Sequence, residues 1–381
     1  MYRILTNKSI SNGEVLQGEH LLVDGKRIID RGDDVHLEGA ETIDLRGMLV
    51  MPGFIDSHIH GAMGFDVMDG TYEAIEAISA YKLKEGCTSF CPTTVTGPWD
   101  KTLAAIKNVK AAMEKGTSGA KIIGTFLEGP FLNPKFKGAH IEAHLLKINT
   151  QKIQELIDAG EGSVVSIALA PELEGASDAI KMLVEAGVQV RLGHSAATIE
   201  VVETAINAGA DIAVHTYNAM SPLHHREPGM VGATLTLPGL KGELICDLVH
   251  VHPMACRLLA QSKGANGTIL VTDCMAAGGL ADGEYSIGDI AVAVSDGISR
   301  MPDGTLAGST TTMLECVRNM HQVVGIPLED AVQMATATPA KVLGIFDKVG
   351  SLDVGKGADI IALDDSLNLA FVMLDGNVIK V

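Results

Sequence analysis

Between residues 54 and 273, eight apolar and β-branched runs alternate with stretches of helical periodicity. The runs are FIDSHIH (54–60), CTSFCPTT (87–94), KIIGTFLE (121–128), SVVSIALA (163–170), VQVRLGH (188–194), DIAVHT (211–216), ELICDLVH (243–250) and TILVTD (268–273). Alternation of this kind predicts parallel strands joined by helical crossovers. Three intervening segments, YEAIEAISAYKLKEG, SDAIKMLVEAG and IEVVETAINAG, end in glycine, as a capped helix C-terminus does. Eight strand–helix units over about 250 residues predict an α/β chain folded as a (β/α)8 barrel. The alternative is an open doubly wound sheet. That fold favours a glycine-rich phosphate turn after its first strand, and none follows FIDSHIH.

The two ends read differently. HLLVDGKRII (20–29) places two apolar runs around Asp24-Gly25, a hairpin signal, and ETIDLRGMLVMPG continues in short strands. GADIIALDDSLNLAFVMLDGNVIKV (357–381) answers with strands and an Asp375-Gly376 turn. Residues 1–50 and 350–381 are therefore expected to form one small β-sandwich, split in sequence, beside a catalytic barrel at 51–349.

Composition removes several function classes. The net charge of −18 over 381 residues argues against a nucleic-acid binder, which needs clustered Lys and Arg. It leaves room for a small anionic substrate, which needs only a few local cations. No apolar stretch reaches the ~18 residues of a membrane span. The six cysteines form no CxxC pair, and MYRILTNKSI is not a secretory signal, so reduced thiols and a cytoplasmic location are expected.

Polar residues gather at the C-terminal ends of the runs. His58 and His60 close the first, Glu128 the third and His194 the fifth; His215 lies in the sixth; His250 closes the seventh and Asp273 the eighth. Barrel enzymes keep their active sites on that face. Any one histidine there could be a satisfied core residue, but so many potential ligands at separate strand ends point to a metal site. The histidines and carboxylates exceed what one Zn²⁺-like ion needs, and suggest a pair of ions bridged by Glu128. Asp273 could touch a metal and still take a proton from the attacking water. Asp56 shares a strand face with the histidine pair, and reads equally as an acceptor orienting an imidazole or as a turn cap. Thr93 and Thr94 line a pocket or simply end a strand.

GFIDSHIHG (53–61), LEGPF (127–131), LGHS (192–195), HTYNAM (215–220), HREPG (225–229), LVTDCMAAGG (270–279) and GSLDVGKGADI (350–360) together resemble the amidohydrolase superfamily, in order and over nearly the whole chain. Within it they are most similar to the deacetylases of phosphorylated amino sugars. The resemblance implies removal of acetyl from N-acetylglucosamine 6-phosphate, giving glucosamine 6-phosphate and acetate. It implies one or two divalent ions (Zn, Fe, Co or Mn), with Glu128, His194 and His215 as main ligands and His58 and His60 as the first-strand pair. Some family members lack that pair and use a single ion. Asp273 falls on the general base and acid. His140, in KGAHIEAH, falls on the residue that polarises the acetyl carbonyl, with His144 as the alternative four residues on. Asn218, Ala219, Arg226 and His250 fall on positions that hold the sugar phosphate, and Leu306, in LAGS, near the substrate. In the family the arginine reaches in from a neighbouring subunit, which implies a homodimer. By its residues alone, Arg226 reads rather as a surface arginine paired to an acid such as Glu227. His224 and His225 remain unassigned.

Two rivals differ in class. A cyclic-amide hydrolase or deaminase would often use a carboxylated barrel lysine as bridge, and the fourth run ends ALAPEL without one. A non-catalytic relative would tend to lose ligands, and this chain keeps them.

Overall fold

The alternating runs form a (β/α)8 barrel in a computed structural model that describes residues 1–379. Its strands are β1 (Phe54–Ile59), β2 (Cys87–Thr94), β3 (Thr125–Glu128), β4 (Val164–Leu169), β5 (Gln189–Leu192), β6 (Ile212–Ala213), β7 (Lys241–Ile245) and β8 (Thr268–Val271). Each pairs in parallel with the next, from β1 with β2 through β7 with β8. Helices cover the outer face, so the strands are buried on both sides and lose the in–out alternation of an exposed sheet. All residues of β1, β2 and β8 are buried. The helix Ile199–Ala208 stops at Gly209, whose φ of 114° favours glycine. A Cβ there would press on Val184 at 2.9 Å.

One run is split, and two end well before their apolar character suggests. The run at 121–128 splits into Lys121–Ile122 and Thr125–Glu128. The run at 211–216 keeps only Ile212–Ala213 in the ladder, because the chain turns at His215, where φ is 27°. The run at 243–250 ends at Ile245, so His250 sits in a loop and does not close a strand. Asp247 stops that ladder: its Oδ1 accepts the N–H groups of Val249 and His250, both at 2.9 Å.

The seam between β8 and β1 is not a regular ladder. The Asp273 N–H donates to the His58 carbonyl at 2.9 Å, and the His60 N–H to the Cys274 carbonyl at 2.8 Å. Asp56 clasps the same seam. Its carboxylate accepts the Thr272 N–H at 3.3 Å and the Thr272 hydroxyl at 2.5 Å. Behind it stands Lys82, fully buried on the helix Tyr72–Lys84, with Nζ 2.9 Å from Asp56 Oδ2 and in contact with Glu85.

The chain ends interleave. One sheet runs Asn377–Ile379, Leu369–Leu374, Ile360–Leu363, Leu49–Pro52, Lys8–Ser11, Glu14–Gln17. The other runs Arg27–Gly32, His20–Asp24, Tyr2–Leu5, Glu41–Asp44. Ile4, Leu21, Val23, Ile28, Val50, Ile360 and Met373 fill the space between them. After β8 a three-stranded antiparallel insert (Gly283–Ile287, Ile290–Ser295, Ile298–Arg300) packs on Val95 and Met275 at the barrel mouth. The helix Met313–Gln322 then begins on a Thr312/Glu315 capping box. All six cysteines are buried free thiols. Among the described residues no helix is long and apolar enough to cross a membrane.

The seam gives a stability prediction. Lys82→Met leaves Asp56 buried without its cation, and breaking a buried pair costs about 3–5 kcal/mol. Urea unfolding of the variant should show that loss; an unchanged midpoint would mean that Lys82 does not hold the seam.

Candidate metal centre and active site

The barrel delivers its polar residues to one face by a repeated device. His58 lies in β1 and His60 just beyond it, while Glu128 is the last residue of β3. His194, His215 and Asp273 lie just past the ends of β5, β6 and β8, where the backbone turns inward. These three have φ of 49°, 27° and 50°. Left-handed backbone at non-glycine residues costs about 1–3 kcal/mol each and persists only where surrounding packing enforces it.

Two groups of ligand atoms result, Glu128–His194–His215 and His58–His60–Asp273. In the first, Glu128 Oε1 is 3.1 Å from His194 Nε2 and 2.9 Å from His215 Nε2, and the two nitrogens are 3.1 Å apart. In the second, the Nε2 atoms of His58 and His60 are 3.3 Å apart, and Asp273 Oδ1 is 3.4 and 3.1 Å from them. Glu128 Oε2 reaches across to His60 Nε2 at 3.1 Å. Ligands of a tetrahedral Zn²⁺-like ion, at ~2.0–2.1 Å from it, lie roughly 3.3 Å from one another. The spacings therefore fit metal ligation.

The outward nitrogens agree. His60 Nδ1 donates to the Thr93 carbonyl at 3.1 Å, and His194 Nδ1 to the Phe136 carbonyl at 2.9 Å. His58 Nδ1 donates to Glu243 Oε2 at 3.2 Å. With the proton on Nδ1, each neutral ring turns a lone pair inward from Nε2. Asp273 Oδ1, buried and without a hydrogen bond, then faces two lone pairs. Acceptors converge in this way where a cation belongs.

The electrostatics point the same way. Burial would raise the Glu128 carboxyl, but His58 and the close ring nitrogens of His140, His194 and His215 hold it well below its ordinary value. Burial likewise opposes ionisation of Asp273, yet His58 and His60 bring it down to about 2. Burial would lower His60, but Asp273 and Glu128 lift it to about 9. Burial pushes His194 down to about 4 despite Glu128.

Above the ligands opens a cavity of about 340 Å³, into which His140, Asn218, Ala219, His250 and Leu306 project with His60, Glu128 and Asp273. His140, and not His144, lines it. The Thr96 N–H donates to His140 Nδ1 at 3.3 Å, so the neutral ring carries its proton on Nε2, 3.4 Å from Glu128 Oε2. His250 is fixed by Asp247 Oδ2 at 2.6 Å from its Nδ1. Arg226 stands apart: it is exposed, donates to His225 Nε2 at 2.7 Å, and lies outside this cavity. Thr93 orients His60 through its carbonyl and accepts the Ile59 N–H on its hydroxyl.

Sequence reading passed over Glu243, Arg191, Asp247 and Thr96. Glu243 and Arg191 did carry a signal, as opposite charges inside apolar strands. Thr96 acts through its backbone, which leaves no mark in the sequence.

The sequence and the fold match known proteins. The amidohydrolase family model matches residues 49–381, and the chain belongs to that family. It is 41% identical to the N-acetylglucosamine-6-phosphate deacetylase of Vibrio furnissii, over 89% of this chain and 85% of that protein. It is also 41% identical to the N-acetylgalactosamine-6-phosphate deacetylase of Escherichia coli O157:H7, over 86% and 87%. A mutant N-acetyl-D-glucosamine-6-phosphate deacetylase from Mycobacterium smegmatis, solved in complex with N-acetyl-D-glucosamine-6-phosphate, superposes with a TM-score of 0.94. It is 32% identical and the match covers 99% of this chain and 98% of that one. The resemblance read from the motifs therefore holds at the level of family and fold.

The raised His60 sets a pH dependence. A group whose folded pKa exceeds its unfolded value, about 6.5 for histidine, stabilises the fold fully below that value. The contribution fades as pH rises through about 9. Metal-free protein should thus lose thermal stability across that window. With excess divalent ion the trend should reverse, because the ion needs the unprotonated ring. A Tm of metal-free protein that stays flat across the window would contradict this.

Proposed function

We propose that this chain removes the acetyl group of N-acetylglucosamine 6-phosphate, releasing glucosamine 6-phosphate and acetate. One observation carries the reading: Asp273 reaches His60 Nε2 at 3.1 Å and also lines the open cavity, with the His140 Nε2–H donor on the same cavity's wall. We assign His58, His60, Glu128, His194, His215 and Asp273 as ligands of two ion positions, with Glu128 shared between them. Bound divalent ions supply Lewis-acid activation of water and of the acetyl carbonyl.

The chain's own groups do the rest. Asp273, ionised at neutral pH, accepts the proton of the attacking water as its oxygen bonds to the acetyl carbon. His140 donates from Nε2 to the developing oxyanion, usually the largest catalytic term. Asp273 then returns the proton to nitrogen as the C–N bond breaks, because an amine leaves poorly unless protonated. Asn218, the Ala219 backbone, Leu306 and His250 hold the sugar phosphate, and Arg226 meets the phosphate in a neighbouring subunit of a homodimer. The sandwich of 1–50 and 350–381 serves as a support for the barrel of 51–349, and the enzyme works in the cytoplasm. The equal identity to an N-acetylgalactosamine-6-phosphate deacetylase favours a second reading, with the 4-epimer as substrate.

Acetate release should be metal-dependent, should stop on chelation and return on add-back, and should require the phosphate. The two epimeric 6-phosphates, assayed side by side, decide between the readings. No turnover of either by metal-loaded protein would discard both. Asp273→Asn should fold and lose about 10²–10⁴-fold in turnover, as general acid–base groups do; near-normal turnover would remove its role. Arg226→Ala and Asp273→Asn proteins, each poorly active, should regain activity when mixed and allowed to exchange subunits. Failure to do so in demonstrated heterodimers would place Arg226 outside the neighbour's site.

A further inference from the structure

Beneath the ligands lies a chain of charge that the chemistry above does not use. Glu243, on β7, is fully buried and points into the barrel. Its Oε2 accepts His58 Nδ1–H at 3.2 Å and the backbone N–H of His215 at 3.3 Å. Its Oε1 takes the guanidinium of Arg191, a fully buried residue of β5. Arg191 also donates to the Ser57 carbonyl at 3.1 Å, and its guanidinium carbon sits 4.0 Å from the Phe126 ring centroid. Phe126 in turn meets the His58 ring edge-on, with centroids 4.8 Å apart and planes at 88°. One charge pair and one aromatic ring therefore fix both the proton and the plane of His58.

We propose that Glu243, held by Arg191, is the positioning residue that makes His58 a metal ligand and so governs occupancy of the His58–His60–Asp273 position. This rests on the two-position reading above. The physical case is one of tautomers. His58 ligates from Nε2 only if its proton sits on Nδ1, and a buried carboxylate at 3.2 Å enforces that. Arg191 prevents an amide from doing the same. In Glu243→Gln the amide oxygen must face the guanidinium, so its NH₂ faces His58. Nδ1 then has to accept, and the proton moves to Nε2, where it blocks ligation. In the Glu128–His194–His215 position, His194 keeps its own acceptor at the Phe136 carbonyl, and the one tie to Glu243 is the backbone N–H of His215, which leaves the ligating rings untouched. The buried pair is expensive to maintain as mere structure, since apolar side chains of like volume commonly serve as well.

The test is a cobalt(II) titration of metal-stripped full-length protein, followed by visible absorbance and by bound-metal analysis. Wild type should take two ions. Glu243→Gln should take the first with little change and the second about 10–100-fold more weakly. The double variant Arg191→Met/Glu243→Leu, which leaves no lone buried charge, should behave alike. If wild type takes one ion, the two-position reading fails and this inference fails with it. If wild type and both variants take two ions with equal affinities, the inference alone is overturned. Equal weakening of both positions, or failure of both variants to fold, would make the pair structural and overturn it as well.

Discussion

The mouth of the barrel is organised around the carboxylate of Glu128. Its Oε1 lies 2.9 Å from His215 Nε2, 3.1 Å from His194 Nε2 and 3.7 Å from His58 Nε2. Its Oε2 lies 3.1 Å from His60 Nε2 and 3.4 Å from His140 Nε2. Rings already donating from Nδ1 cannot also donate from Nε2 while neutral, so much of this convergence is of lone pairs on a negative charge. Only added positive charge resolves it. Protons do so on His58 and His60, whose titration is shifted upward, and divalent ions would do so more completely.

The layer below carries the same imbalance. Asp56, Glu243, Glu128 and Asp273 are buried about the first strand, against Lys82 and Arg191 as permanent cations. An excess of negative charge inside a low-dielectric wall is costly, and a metal-loaded site relieves it. Asp56 and Thr272 tie the β8–β1 seam in the stretch that carries both His58 and Asp273, so barrel closure and site geometry are one problem. His58 is then held three ways: by its strand, by Glu243 at Nδ1 and by Phe126 at its edge. A ligand so constrained loses little freedom on binding an ion.

The barrel was legible because its strands are buried on both faces and its helices end in glycine, and both leave marks in a single sequence. Strand ends were less so. Apolar character runs on past Ile245 to His250, but Asp247 turns the chain with two backbone hydrogen bonds, and that competition is local polar chemistry. Candidate ligands were legible as types at strand ends. Their partners were not: Thr93 and Phe136 act through carbonyls and Thr96 through its N–H, and every residue owns those groups. Asp56 read from sequence as either an acceptor or a cap; the structure makes it a clasp across a seam closed by residues more than two hundred positions apart.

Sequence alone thus determined the barrel, the sheet at the chain ends and the chemical types gathered at one rim, because periodicity and residue type are local properties. Only tertiary structure decided which nitrogen of each imidazole faces inward, which of His140 and His144 reaches the cavity, and that Arg226 lies outside the cavity of its own chain. Those outcomes depend on hydrogen bonds between segments far apart in sequence, such as Glu243 with Arg191 and His58, and they exist only once the barrel has closed.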